Sequence, residues 1–594
     1  MQSTPPPSPA ATKRASPVDR FLQRIHDECA NLRDGAVADY IPALAAADPE
    51  PFGICIATVD GHVYEVGDAN LPFTIQSISK PFTYAHAVET HGLAAVLERI
   101  GVEPSGDAFN EISLDARGRP FNPMINAGAI AAAALACDVD PVDLYSRWAG
   151  RELTVDNDVY EGERATGHRN RAIAHLLRAG GVIDGNPEKV LDTYFRQCSV
   201  TLTTRDLAVM AATLAARGRN PVTGDDVTDG FVVDHVLAVM TTCGMYDAAG
   251  QWLVDVGIPA KSGVGGGIIG VLPGQLGIAT FSPRLDPVGN SVRGVAAFRD
   301  LSAQLNLHFL HAGRSVGSAQ IEEFDLADMP SSRGRPARQR ATLAAARGTT
   351  AVLVATGDVL FVGAEAIAQR VADSHARKFI VDLHRAGAVD VAAARLIDEL
   401  STNVTDAGCT LVVAGAPAHV RDTVATRQFT TGDAAREWCE DATLEAAGVP
   451  ATPRPVELID HDLTAEMDAA LVAELEALCV RRQFAAGEVI TPAGHRIGEL
   501  HLILAGEVAL GSRSHDGRLT TRAAGMMFGT AALVETSERI VEVRALTDVL
   551  VLVLALDQLR SATSDLRSAV LRSVLTGVRG ALGQATREIL ALTR

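Results

Sequence analysis

The sequence predicts three folded regions in series: a large α+β layer region, a small α/β layer region, and a β-barrel followed by helices. Three observations carry this. The chain has 594 residues, more than one ordinary hydrophobic core supports. Within 19–316, strand-like segments stand at both ends and helix-periodic ones between them, as in one sheet covered by helices. Beyond a Pro/Ser/Arg-rich break at 328–341, the apolar pattern resumes as alternating strands and helices, then as short strands at turn-marked spacing.

Composition narrows the function classes. A hydrophobic content of 47% with 21% charged residues is that of a folded chain. A net charge of -19 argues against nucleic acid or an anionic membrane as partner, since phosphate binding needs a basic face. The 8 cysteines are scattered without a C-x-x-C pair, which suits a reducing compartment and neither a disulfide frame nor a zinc site. No segment reaches the roughly 20 unbroken apolar residues of a membrane span. Residues 1–18, rich in Pro, Ser and Ala, lack the apolar core of a signal peptide and read as a disordered arm. A cytoplasmic location is therefore expected.

In the first region, 20–33 reads as an amphipathic helix. Segments 52–59 and 62–66 form a hairpin, with Asp60-Gly61 supplying the positive φ of its turn. Residues 74–81 (T-I-Q-S-I-S-K-P) then enter a helix ending near Gly92, and Pro81 is tolerated in a first helical turn. Ser77 and Lys80, three apart, share a helix face, which sets a hydroxyl beside an amine at the positive helix end. A partly desolvated amine loses its proton more readily and can act as a base toward the hydroxyl. S-x-x-K is the nucleophile motif of class A β-lactamases and penicillin-binding proteins. By itself, so short a pattern is usually a cap and a solvated charge. Further along, 121–129 leads into a small-residue helix, and 203–217 is a helix with Thr at its start and Gly218 just past its end. Lys261-Ser262-Gly263 parallels the K-T-G box that serine acylases carry on a strand. Glycine there lets a backbone N–H approach substrate, and with the N–H of Ser77 it would form an oxyanion hole.

Seven motifs occur in one order: A-D-Y-I-P around Tyr40, S-I-S-K, N-P-M-I-N-A-G-A-I, E-x-E-R-A-T-G-H-R-N-R-A, Y-F-R-Q-C-S, C-G-M-Y-D-x-x-G-Q and P-A-K-S-G-V-G-G-G-I. Together they resemble the serine-dependent glutaminase family, whose fold is similar to the β-lactamases, over about half the chain. The resemblance implies hydrolysis of the side-chain amide of L-glutamine to L-glutamate and ammonia through a serine acyl-enzyme, with glutamine and water as partners. No metal or organic cofactor is implied. Ser77 would be the nucleophile and Lys80 its activating partner, with Tyr246 and Tyr40 as proton-transfer candidates. Substrate contacts would be Ser77, Asn126, Glu163, Asn170, Tyr194 and Tyr246, plus the backbone of Val264. These residue types suit the task. A carboxylate at Glu163 matches the α-ammonium of glutamine, while Asn126, Asn170 and Tyr194 offer donors to its α-carboxylate without added charge. Two alternatives stand beside this reading. A β-lactam-reactive acylase is disfavoured by the lack of an export signal, and a sensor without turnover by the intact Ser77, Lys80 and Tyr246.

Residues 317–347 read as a linker. In 348–441, the runs 352–354, 378–383 and 410–413 are strand-like and alternate with helical 364–374 and 391–400. This stretch resembles the STAS domain of anti-sigma-factor antagonists and sulfate transporters. Regulatory members carry Ser or Thr just after the Asp that Asp390 resembles. Val391 and Ala392 follow here, so no phospho-switch is expected, and a packing or oligomerisation role is. Residues 442–462 read as a second linker. In 463–594, strand-like 487–490, 500–508 and 544–556 precede a helical tail over 566–592, resembling a cyclic-nucleotide-binding domain. Its phosphate cassette would lie at 528–533, with Arg539 as the phosphate arginine. Thr530 replaces the usual Glu, and Glu538 and Glu542 add negative charge, so cyclic-nucleotide binding is not expected. A helix-turn-helix is not expected after it. A homo-oligomer, dimer or tetramer, is expected.

Overall fold

The computed structural model describes residues 16–39, 41–105, 114–312, 319–494, 498–513, 519–530 and 542–593. They fall into two compact units, one within Ala15–Gly317 and the other within Ser318–Arg594. Among the described residues, no helix is long and apolar enough to cross a membrane.

The first unit is α+β, of the β-lactamase-like kind expected. Its sheet is antiparallel throughout, in the order Val63–Gly67, Gly53–Thr58, Leu276–Phe281, Gly267–Leu272, Ala260–Ser262. Gly53–Thr58, Gly267–Leu272 and Leu276–Phe281 are buried at every position, because helices cover both faces. Helix Thr204–Ala215 lies against one face, where an added Cβ on Gly277 would meet the backbone of Ala211 and Ala212. Helix Val292–Leu305 covers the other through Phe298, which faces Gly270. Thr203 and Asp206 cap Thr204–Ala215 reciprocally, and the Asp206 carboxylate also binds Arg151. The arm read over 1–18 is shorter than expected at its end. Ser16 accepts the Val18 N–H at 3.2 Å and Pro17 opens a helix to Ala30 that buries Phe21, Leu22 and Ile25.

The second unit holds a mixed sheet in the order Gln428–Phe429, Thr410–Ala414, Lys378–Val389, Thr350–Val359, Gln320–Asp325. Its last strand runs antiparallel and the others parallel. Here the linker reading of 317–347 needs correction. Gln320–Asp325 is an edge strand paired with Thr350–Val359, and Ala337–Ala345 is a helix. Consecutive acids at Glu322 and Glu323 hide that strand from an apolar pattern, as edge strands often do.

The rest of this unit comprises two four-stranded sheets. One is Cys479–Phe484, Val549–Ala555, Glu499–Ala505 and Met527–Phe528, and the other Val489–Thr491, Val543–Ala545, Glu507–Arg513 and Leu519–Ala523. Helix Ser564–Thr593 follows. The second linker reading, 442–462, also changes. Helix Gly432–Ala446 reaches into it, and Leu458 joins a core with Leu463, Leu500, Leu552 and Leu566. Sparse leucines in a polar stretch give no period, yet Leu444 and Leu458 are both buried and tie its two ends down.

Candidate active site

Ser77 lies in a 3-10 turn, Gln76–Ser79, and the α-helix Lys80–His91 begins only after it. Gln76 holds φ +48, a left-handed conformation that costs a non-glycine residue about 1–3 kcal/mol and is usually kept at functional sites. Tyr246, with φ +54, is a second such residue. Its phenol is hydrogen-bonded to Ser77 and donates to the Ser262 carbonyl at 3.1 Å. Burial pushes that phenol up to about 12, against the lowering effect of the Ser77 and Ser262 side chains.

Lys80 is 1% exposed. Its ammonium donates to the Met124 carbonyl at 3.0 Å and to Asn126 Oδ1 at 2.8 Å. Desolvation brings the amine down to about 8, although Cys198 and Glu163 pull the other way. The acceptors are set by the N-P-M-I-N turn. Asn122 Oδ1 takes the N–H groups of Met124 and Ile125, which starts the helix Asn126–Leu135. Gly128 allows that helix to fold back, since a Cβ there would lie 1.9 Å from the Asn122 carbonyl oxygen. Asn126 in turn donates to Asn170 Oδ1 at 3.0 Å. Sequence reasoning gave Asn126 to the substrate alone. In the fold its amide oxygen is engaged by Lys80, because the two residues, 46 apart in sequence, share one buried space.

Glu163 is 6% exposed, and burial raises its carboxyl to about 7 while Lys80 opposes the shift. Tyr194 is buried and its hydroxyl meets the Cys198 thiol. Val264 is buried in the turn after Ala260–Ser262. That turn runs close to the Ser77 segment: a Cβ on Gly265 would stand 2.9 Å from the Thr74 carbonyl oxygen. Tyr40 lies outside the described residues.

Sequence reasoning missed Lys261. The box was noted for its backbone, yet the side chain is fully buried, donates to the Ser262 carbonyl at 2.6 Å and sits 4.0 Å from the Tyr246 ring centroid. Desolvation, and then the neighbouring Lys80, drive its amine well below the usual lysine range. Ser79, Gln197 and Thr83, which link through Gln197 Nε2 to Ser79 Oγ at 3.4 Å and Thr83 Oγ1 to Gln197 Oε1 at 3.1 Å, were also missed. Ser79 and Gln197 fall inside quoted motifs, and that was their only signal. The assembly is chemically coherent: a buried hydroxyl bonded to a phenol, an amine whose hold on its proton is weakened by burial, and a carboxyl raised toward neutral pH beside that amine.

In the second unit, Thr530 is partly buried, and Arg539 and Glu538 lie outside the described residues. Glu542 was expected to add free negative charge. It is instead paired with Arg544 at 2.6 Å, so its field is largely cancelled on the spot. Asp390 caps helix Val391–Asp406 by accepting the Ala393 N–H, and Val391 is exposed at the helix start.

Comparison with known proteins matches residues 35–310 to the Glutaminase family model, 342–431 to the STAS domain and 481–565 to the Cyclic nucleotide-binding domain. Glutaminase 1 of Bradyrhizobium diazoefficiens is 43% identical over 552 residues, 90% of this chain and 90% of that protein. Glutaminase 2 of the same organism is 42% identical, over 91% of this chain and 90% of the relative. A Glutaminase of Trichormus variabilis is 52% identical over 303 residues, covering 50% of this chain and 91% of its own.

Proposed function

The chain belongs to the glutaminase family, and from that premise we propose that it hydrolyses L-glutamine to L-glutamate and ammonia, with Ser77 as nucleophile and Lys80 as its base. The observation that carries the assignment is the state of Lys80. An amine brought down to about 8, held between two neutral oxygens three residues from a buried serine, is suited to take a proton near neutral pH.

Ser77 Oγ attacks the side-chain amide carbon as its proton passes to Lys80, directly or through Tyr246. The N–H groups of Ser77 and Val264 hold the developing oxyanion. The C–N bond breaks, ammonia leaves with the proton returned to it, and a glutamyl ester remains on Ser77. Water then adds to the ester carbon, giving up its proton to the same base. The ester C–O bond breaks to release glutamate and restore the Ser77 hydroxyl. Tyr40 is assigned to activating this water on resemblance alone. Glu163 receives the α-ammonium, whose arrival draws off its proton, and Asn170 and Tyr194 receive the α-carboxylate. Asn126 serves chiefly to hold Lys80.

The test is release of ammonia and glutamate from glutamine by the purified full-length protein, beside Ser77→Ala. The variant is expected to lose about 10³-fold or more in kcat with an unchanged circular dichroism spectrum. Turnover within about tenfold of the parent removes Ser77 from the mechanism.

A further inference from the structure

Ser79 follows Ser77 by two positions in the same 3-10 turn, so its side chain leaves on another face, where it is fully buried. Its hydroxyl has one hydrogen and donates it to the Gln76 carbonyl at 2.6 Å. Behind it, three helices supply a single file of polar groups. Gln197, from Pro187–Cys198, donates through Nε2 to Ser79 Oγ at 3.4 Å, and its Oε1 accepts from Thr83 Oγ1 at 3.1 Å. Thr83, from Lys80–His91, has then used its hydrogen. At the 2.5 Å contact between Thr83 Oγ1 and Tyr145, the phenol of Pro141–Ala149 is therefore the donor, with the Ser79 carbonyl a longer 3.5 Å from the same hydroxyl. All three side chains are buried, and burial holds the Tyr145 phenol far above its ordinary range, so it stays a donor. Every bond in the file thus runs one way, from Tyr145 to the Gln76 carbonyl, and successive donors polarise one another.

We propose that this relay sets the oxyanion donor: Ser79, aimed by Gln197, Thr83 and Tyr145, is a positioning residue for the N–H of Ser77. The inference rests on the reading of Ser77 as nucleophile. The Gln76 carbonyl and the Ser77 N–H belong to one planar peptide and point in opposite directions. Holding the carbonyl on the buried side therefore fixes the direction of the N–H on the other. A hydrogen bond to that oxygen also draws charge from the nitrogen and makes its N–H a stronger donor. The turn needs such a hold, because Gln76 sits at φ +48, which a non-glycine residue keeps only where its surroundings over-determine it. A serine bonding the carbonyl three residues back is common in helices. A fully buried one aimed by three further side chains goes beyond that local preference. An N–H fixed beforehand is most effective at an oxyanion, since nothing has to reorient as the charge develops.

The probe is a glutamate analogue with a boronic acid in place of its side-chain carboxylate, whose tetrahedral adduct on Ser77 puts an oxygen where the oxyanion forms. Full-length Ser79→Ala is expected to lower kcat about 10- to 100-fold and to weaken the boronate by a like factor. KM for glutamine and the inhibition constant of glutamate are expected to stay within about twofold of the parent. The pH midpoints of kcat/KM are expected to stay in place, since Lys80 and Glu163 lie outside the relay. Gln197→Met, which removes the amide behind Ser79, is expected to cost about three- to tenfold in kcat and boronate affinity, and the double variant no more than Ser79→Ala alone, because the file acts as one unit. Inhibition constants do not depend on how much of a sample is folded, so a destabilised variant still reads out. Undiminished boronate affinity in Ser79→Ala, a displaced pH midpoint, or losses that add in the double variant would overturn the relay. A parent that does not hydrolyse glutamine would remove the reading on which the relay rests, and the relay with it, a failure of a different kind.

Discussion

Around Ser77 the buried lysines meet neutral acceptors, whereas around Glu440 the buried arginines meet carboxylates. Lys80 and Lys261 donate to carbonyl and amide oxygens of Met124, Asn126 and Ser262. In the second unit Arg335 binds Glu440 at 2.9 Å and Asp441 at 2.7 Å, and Arg333 reaches Glu437 and Glu507, each at 3.1 Å. Ser331 and Ser332 add paired backbone and hydroxyl bonds to Glu440 and Asp433. Burial still raises the Glu440 carboxyl, while Ser331 and Arg335 pull it back. A buried cation hydrogen-bonded only to neutral oxygens gives up its proton more easily than one in water. A buried cation with a counter-charge is a fastener. Lys80 belongs to the first kind: its fall from 10.5 to about 8 is a bias of order 3 kcal/mol toward the neutral amine.

The sharpest way to break this contrast is Lys80→Met, expected to lower kcat about 10³-fold or more while leaving the fold at least as stable at pH 7. The folded-state value of Lys80 lies below its unfolded one. The unfolded chain therefore binds more protons from pH 8 to 10.5, and parent stability rises with pH across that window. The stability advantage of Lys80→Met should shrink over the same range in thermal melts. A growing advantage would mean that burial does not lower the amine.

Arg335→Met should behave in the opposite manner. It strands Glu440 and is expected to cost about 3–5 kcal/mol of stability, with Arg335→Met/Glu440→Leu recovering most of it. If the single change is silent in thermal melts, the cluster is not a fastener. Glu163→Gln comes next, with kcat/KM for glutamine falling by the equivalent of about 2–4 kcal/mol. In the parent, kcat/KM is expected to rise with pH through about 7 as Glu163 ionises and through about 8 as Lys80 deprotonates. Glu163→Gln should lose the first of these rises, and an unaltered profile would make Glu163 structural. The smallest effect belongs to the second unit. Calorimetry with cAMP or cGMP on the full chain should show no micromolar binding, because Thr530 is a poorer acceptor than Glu for a ribose hydroxyl. Micromolar binding abolished by Arg539→Ala would show the cassette to be live.

Local pattern alone determined much. The hairpin at Asp60-Gly61, the helix opened by Thr203 and the small-residue helix after Asn122 were legible, because period and turn chemistry are written in neighbouring residues. Of the barrel, the runs 487–490, 500–508 and 544–556 were read, but the last two are each two strands, and Cys479–Phe484 and Leu519–Ala523 were not read. Motif order also carried the family. What the tertiary structure alone decided is the electrostatics. Met124 and Asn126 reach Lys80 from 44 and 46 residues away, and Lys261, on a strand with one paired neighbour, is fully buried with its amine over the Tyr246 ring. The same holds for 320–325 and 442–462, whose polar sequences read as linkers until distant strands and leucines closed over them. A residue's type is local, but its desolvation is a property of everything packed around it. The acidity of a buried group therefore becomes readable only when the chain has folded.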